Sequence, residues 1–210
     1  MRNAKWVIVA AVITVILIAG YFLWWKKRED EQIANNIDEL TPNGNMENSG
    51  PTPGNTGSAS PKRGLRNNNP GNIRIPRDKH GEIVDVSWQG KISIADNTDP
   101  GKEFEQFTDM VWGCRAQLKI LLTYMNTYHL NTILEFTTKW APEADGNDPV
   151  VYAATINDET GIATDMQLSA NDSQSLTAIA CAMAYVEEGK NECNNAGVNN
   201  NLFDQAWDLL

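Results

Sequence analysis

Residues 110–128, MVWGCRAQLKILLTYMNTY, carry the clearest periodicity in this 210-residue chain. Leu118, Leu121, Leu122 and Met125 recur at i, i+3, i+4 and i+7, the spacing of one face of an α-helix. Thr108 or Asp109 can cap its first turn, and Asp99-Pro100-Gly101 breaks the chain just before it. Further helices follow. NTILEFTTKW (131–140) stops before Pro142, and another covers about 149–157. A longer one runs over 172–188, with Asp172 at its start and Gly189 at its end. NLFDQAWDLL closes the chain as a short amphipathic helix.

Upstream of residue 110 the pattern changes. NIRIP, EIVDVSW and KISIA place β-branched residues at alternating positions, separated by DKHG and QG turn signals. They predict a small two- or three-stranded element. The expected class is therefore α+β, mainly α, with one globular domain over 62–210. At 149 residues that domain is long enough to bury a substantial core.

Two segments precede it. Trp6–Trp25 is a run of 20 uncharged, mostly apolar residues bounded by Lys5 and Lys26-Lys27-Arg28, with Trp6, Tyr21, Trp24 and Trp25 at its ends. That composition predicts a transmembrane helix at about 6–25 in an anchor of residues 1–30, and a single-pass membrane protein contacting lipid through that run. Bulky Trp24-Trp25 and three bases stand where a signal peptide would carry small residues. The basic residues flanking the run are nearly balanced and give no orientation. Residues 31–61, with TPNGNMENSGPTPGNTGSASP, read as a flexible linker too poor in apolar groups to fold.

Charge is unevenly spread. The chain totals −10, yet residues 62–80 hold six bases against Asp78 alone, and 81–210 hold 20 acids against six bases. The bulk acidity excludes a general nucleic-acid binder. The basic segment either packs over acidic helices or forms a ligand-facing lip. Three cysteines exclude a disulfide framework, although Cys181 and Cys193 could pair in an oxidising setting. His80 and His129 read as surface residues, and no metal or cofactor motif is present.

The densest polar motif is Arg63-Gly64-Leu65-Arg66-Asn67-Asn68-Asn69-Pro70-Gly71-Asn72-Ile73-Arg74. Its amides suit either a turn that satisfies its own backbone or a hydroxyl-rich, acetamido-bearing ligand. The motif resembles the opening of a phage virion-protein group with lysozyme-like, cell-wall-degrading domains. Trp88-Gln89-Gly90, Phe104-x-x-Phe107, Gly113-Cys114-Arg115-Ala116, Asn131-Thr132-Ile133, Trp140-Ala141-Pro142 and Asn147 to Tyr152 follow in that group's order, covering about 63–165. Gly146 is an insertion against its pattern. A weaker resemblance links Asn72-Ile73-Arg74, Trp88 and the Gly113 helix to bacterial wall glucosaminidases.

The resemblance implies a lysozyme-like fold and a muramidase or lytic transglycosylase acting on peptidoglycan during phage entry, with other virion proteins as further partners. It also implies that one Glu can suffice, the substrate acetamido group assisting. Glycoside cleavage needs a carboxyl kept protonated. The candidates are Glu103 and Glu105 beside Phe104 and Phe107, and Glu143 and Asp145 after Trp140. Asn67, Asn68, Asn69, Asn72, Arg74, Trp88, Arg115 and Trp140 are the candidate substrate-binding residues. Arg115 also suits a structural role or a pairing with Asp145. Two rival readings stand beside this one: a non-enzymatic virion membrane protein that binds peptidoglycan or other subunits, and a bacterial wall glycosidase anchored in the inner membrane.

Overall fold

The computed structural model describes residues 2–40 and 61–210, with side chains in the first helix from Thr14 onward except 38 and 39. Its helices are α1 (Arg2–Leu40), α2 (Arg63–Arg66), α3 (Met110–Tyr128), α4 (Ile133–Trp140), α5 (Pro149–Thr160), α6 (Ser173–Glu188), α7 (Lys190–Asn195) and α8 (Asn200–Trp207). Single 3-10 turns lie at Pro100–Lys102 and Glu143–Asp145.

The periodic segment over 110–128 is the centre of the fold. α3 is buried over most of its length, from Gly113 to Leu121 and again from Thr123 to Met125, and packs against α1, α6 and α8. The Asp109 carboxylate accepts from the Val111 N–H, and His129 ends the helix in a left-handed conformation. Thr132 and Glu135 cap α4 reciprocally, which fixes its entry after the four-residue connection from α3. Asp172 caps α6 through the Ser175 N–H. Leu176, Ile179, Ala180 and Met183 face the core from that helix, where α5 and α8 close on it.

The expected α+β, lysozyme-like class is corrected to a mainly helical one. Among the described residues the strand-like segments form three isolated antiparallel bridges, Arg74–Phe104, Arg77–Ile83 and Lys91–Phe107. The alternation in NIRIP and DVSW is real, because Ile73, Ile75, Val86 and Trp88 are buried. No ladder grows because the backbone turns too often. Asn68, Asn72, Gly81, Gly90, Gly101 and Lys102 all have positive φ. Side-chain amides replace part of the ladder: Asn69 Nδ2 donates to the carbonyls of both Ile73 and Glu105, and Asn97 Nδ2 donates to that of Phe104.

The transmembrane anchor and membrane localisation are corrected too. Among the described residues, no helix is long and apolar enough to cross a membrane. From Lys26 onward α1 belongs to the domain. Ile33, Ile37 and Leu40 repeat on one face and are buried, with exposures of 0%, 2% and 0%. Glu29, one turn earlier, is equally buried and forms a bidentate pair with Arg115 at 2.9 and 3.1 Å. Asp30 pairs with Lys119, Gln32 accepts from the Ser87 N–H, and the Leu40 carbonyl accepts from the Arg74 N–H. Residues 31–40, assigned by composition to the linker, are thus helical and packed, and 41–60 lie outside the described residues.

Candidate functional site

The motif loop at 63–74 sits between two carboxylate clusters. Asn67, Asn68 and Asn69 face the first. Asn67 Nδ2 donates to Asp99 Oδ1 at 2.9 Å, Asn68 Nδ2 to the Phe107 carbonyl, and Asn69 Oδ1 accepts the Ile73 N–H. Gly113 opens α3 against this loop, where a Cβ would stand 1.9 Å from the Asn68 carbonyl oxygen. At the cluster's centre Glu105 is fully buried, accepts from Trp88 Nε1 at 3.1 Å and lies 3.5 Å from Lys91 Nζ. Burial pushes its carboxyl up to about 7, against the opposing pull of Lys91.

Asn72 faces the second cluster, at the end of α6. Its left-handed backbone, with φ 49°, turns the side chain away from its three neighbours. Nδ2 donates to Glu188 Oε1 at 2.6 Å and to Glu187 Oε2 at 3.3 Å. Glu187 Oε1 accepts from Trp140 Nε1 at 3.1 Å and from the Tyr152 hydroxyl at 2.9 Å. Both carboxyls are shifted upward by burial. Glu188 reaches about 7, with Glu187 adding to the rise and Asn72 and Lys62 opposing it. Glu188 is 1% exposed, and its Oε2 has no hydrogen-bond partner among the described residues. Glu187 is half-buried. Gly64 closes over the pair, because a Cβ there would stand 2.4 Å from Glu188 Oε1.

Such a pair can hold and deliver a proton. Burial raises both carboxyls; Tyr152, Trp140 and Asn72 oppose the rise at Glu187, and Asn72 and the Gly64 backbone oppose it at Glu188. The set offers no metal chelate: among the described residues no group of three or more His, Cys, Asp or Glu side chains is placed to hold an ion.

The sequence-derived residues therefore separate into distinct places. Asn72 and Trp140 meet at Glu187 and Glu188. Trp88 meets the Glu105 carboxylate and Asn69 the Glu105 carbonyl, while Asn67 holds Asp99 and Asn68 the Phe107 carbonyl. Arg74 lies over the Phe104 ring at 5.1 Å. Arg115 leaves both clusters for Glu29 and the Leu209 carbonyl, and not for Asp145. Glu103 and Glu143 are exposed, with Asp145 half-buried in the 3-10 turn after α4. Cys181 and Cys193 are free buried thiols, as is Cys114, so the suggested disulfide is absent.

The chain is 38% identical over 129 residues to protein P5 of Pseudoalteromonas phage PM2, a match covering 61% of this chain and 72% of that protein. The chain belongs to the P5 family. No protein-family profile matches it. Membership makes the chain kin to a phage protein and sets aside the bacterial inner-membrane reading.

Sequence reasoning missed Glu187, Glu188, Lys62 and Glu29. A signal for the first two was present: adjacent acids directly before a terminal glycine sit at the negative end of the helix dipole, where carboxylates are disfavoured. A helix that keeps two acids there, and buries them, sacrifices stability for something else.

Proposed function

We propose that this P5-family chain is a phage virion protein that cleaves the glycan strands of peptidoglycan, with Glu188 as the general acid and Glu187 as its carboxylate partner. The single observation behind this reading is the Glu187–Glu188 pair bridged by the Asn72 amide. Glu188, held near 7, is protonated in a large fraction of molecules at neutral pH and passes that proton to the glycosidic oxygen as the C–O bond breaks. Glu187, fixed by Trp140, Tyr152 and Asn72, is the carboxyl placed to face the positive charge that develops at the sugar carbon. Water or a hydroxyl of the same sugar then closes that carbon, and Glu188 takes back the proton.

Digestion of purified sacculi by the full chain, with soluble products read by mass spectrometry, tests this. Glu188→Gln should abolish release and Glu187→Gln should reduce it by at least about a hundredfold. Glu103→Gln, Glu143→Gln and Asp145→Asn should stay active. Full activity in both α6 variants would overturn the assignment.

The near-complete burial of Glu188 favours one second reading, a virion protein that binds peptidoglycan without cutting it. Its signature is retention of the chain on sacculi with no soluble fragment released.

A further inference from the structure

We infer that Arg63 and Arg74, which flank the Gly64 and Asn72 contacts to the Glu187–Glu188 pair, form an anion subsite taking a carboxylate of the peptide stem attached to the glycan. The inference rests on the glycan-cleaving reading above and adds to it which form of the strand is recognised.

The geometry is a convergence of like charges. The Arg63 guanidinium lies 4.6 Å from the Phe104 ring centre and that of Arg74 lies 5.1 Å from the same ring. The two charges therefore stand within about 10 Å of each other, inside the screening length of 0.1 M salt. Phe104 is 7% exposed, and both cations lie against its ring. Among the described residues neither arginine, nor any of Lys62, Arg66, Arg77 and Lys79, has a carboxylate within ion-pair distance. Lys62 alone acts on the α6 carboxyls, at longer range, and Arg63 and Arg74 are left without a direct carboxylate partner among the described residues.

Its position ties it to the proton-bearing pair. Arg63 precedes Gly64, which touches Glu188, and Arg74 follows Asn72 by two residues. Lys62 Nζ reaches the α6 terminus, 3.6 Å from where a Cβ on Gly189 would stand. Two forked guanidinium groups match a planar carboxylate. A neutral glycan strand offers them nothing. A nucleic acid is a poor fit, since a patch of this size is set in an acidic domain. A carboxylate hanging from the sugar next to the bond to be cut satisfies both the charge and the place.

The test is co-sedimentation of the full chain, on ice, with three probes: native sacculi, sacculi whose carboxylates have been amidated chemically, and glycan strands stripped of peptide. The chain's net charge of −10 makes bulk electrostatics favour the amidated wall, so a preference for the native wall must come from a local site. Wild type should bind native sacculi about tenfold more tightly than either other probe. Arg63→Gln and Arg74→Gln should each erase that difference, Arg63→Lys and Arg74→Lys should restore part of it, and Lys79→Gln should behave as wild type. Equal binding to native and amidated walls by a chain that still digests sacculi would overturn the subsite and leave the proposed function standing. A chain that neither binds nor digests native sacculi would overturn both. Equal loss in the Gln and Lys variants would mark the arginines as packing residues and refute the charge-based account.

Discussion

Replacing Arg115 with Met probes the claim that the second half of α1 is part of the domain. Arg115 is 2% exposed, and its guanidinium donates to both Glu29 oxygens and, through Nε, to the Leu209 carbonyl at 3.0 Å. Methionine fills much of the space but leaves Glu29 buried with only the Gln89 N–H, at 3.1 Å, as a donor. Removing one partner of a buried ion pair costs about 3–5 kcal/mol, because the other charge is stranded. For a domain of this size that is a fall of roughly 6–20 °C in melting temperature. Glu29→Gln should cost less, since an amide can still accept from Gln89 and Arg115 retains a polar neighbour. The double variant Glu29→Leu with Arg115→Met removes both charges and should recover most of the loss; with Glu29→Leu alone closing the cycle, the coupling energy should be at least about 2 kcal/mol. Urea denaturation of the full chain, followed by circular dichroism, reads all four. A cost below about 1 kcal/mol for Arg115→Met, with additive single effects, would mean that α1 does not dock through this pair. If that variant also lost sacculus binding at unchanged stability, Arg115 would regain the ligand-facing role that its motif suggests.

Three further outcomes can be measured directly. Gly113→Ala should destabilise the fold by at least about 2 kcal/mol, because the added Cβ meets the Asn68 carbonyl and neither backbone can yield without moving the motif loop; thermal melting checks it. Stability should fall as pH rises from about 4.5 to about 7: Glu105 and Glu188 titrate near 7 when folded and near 4.5 when unfolded, so the folded state holds the extra protons across that window. The stabilisation is complete below 4.5 and lost above 7, and Glu188→Gln should flatten part of the slope in denaturation curves taken across that range. Cys114, Cys181 and Cys193 should resist a thiol reagent in the native chain and all react in denaturant, because each is buried and burial pushes each thiol upward.

The helices after residue 110 are legible because their signals are local. Asp109, Thr132 and Asp172 each cap the turn that immediately follows, and Leu118, Leu121 and Met125 mark a face without reference to anything distant. The end of α1 is harder to read for the opposite reason. Ile33, Ile37 and Leu40 are three apolar residues in a polar decade, and their helix is stabilised by α3 and the 85–88 segment rather than by its own composition. A compositional window gives such a stretch to the linker. The 72–108 region shows a third case. Its period of two correctly marks which side chains are buried, yet alternation says nothing about whether the backbone finds a partner strand or, as here, an asparagine side chain.

The four asparagines of the motif show why the site itself stayed hidden. By residue type, Asn67, Asn68, Asn69 and Asn72 are interchangeable, and a sequence reading can only offer all of them to a ligand or all to the backbone. The structure divides them. Three satisfy carboxylate or carbonyl groups around Glu105, and Asn72, past the Pro70-Gly71 turn and in a left-handed conformation, reaches two carboxylates 115 and 116 residues away. The turn is therefore a partition: it spends one set of amides on holding the loop rigid and aims the remaining one at α6. Rigidity on the first side is what gives the second its geometry, because Asn72 can bridge Glu187 and Glu188 only if Asn69 and Gly113 hold the loop at a fixed distance from α3. A substitution at Asn69 should thus disturb the α6 carboxylates without touching them, acting as a positioning residue through the loop it anchors.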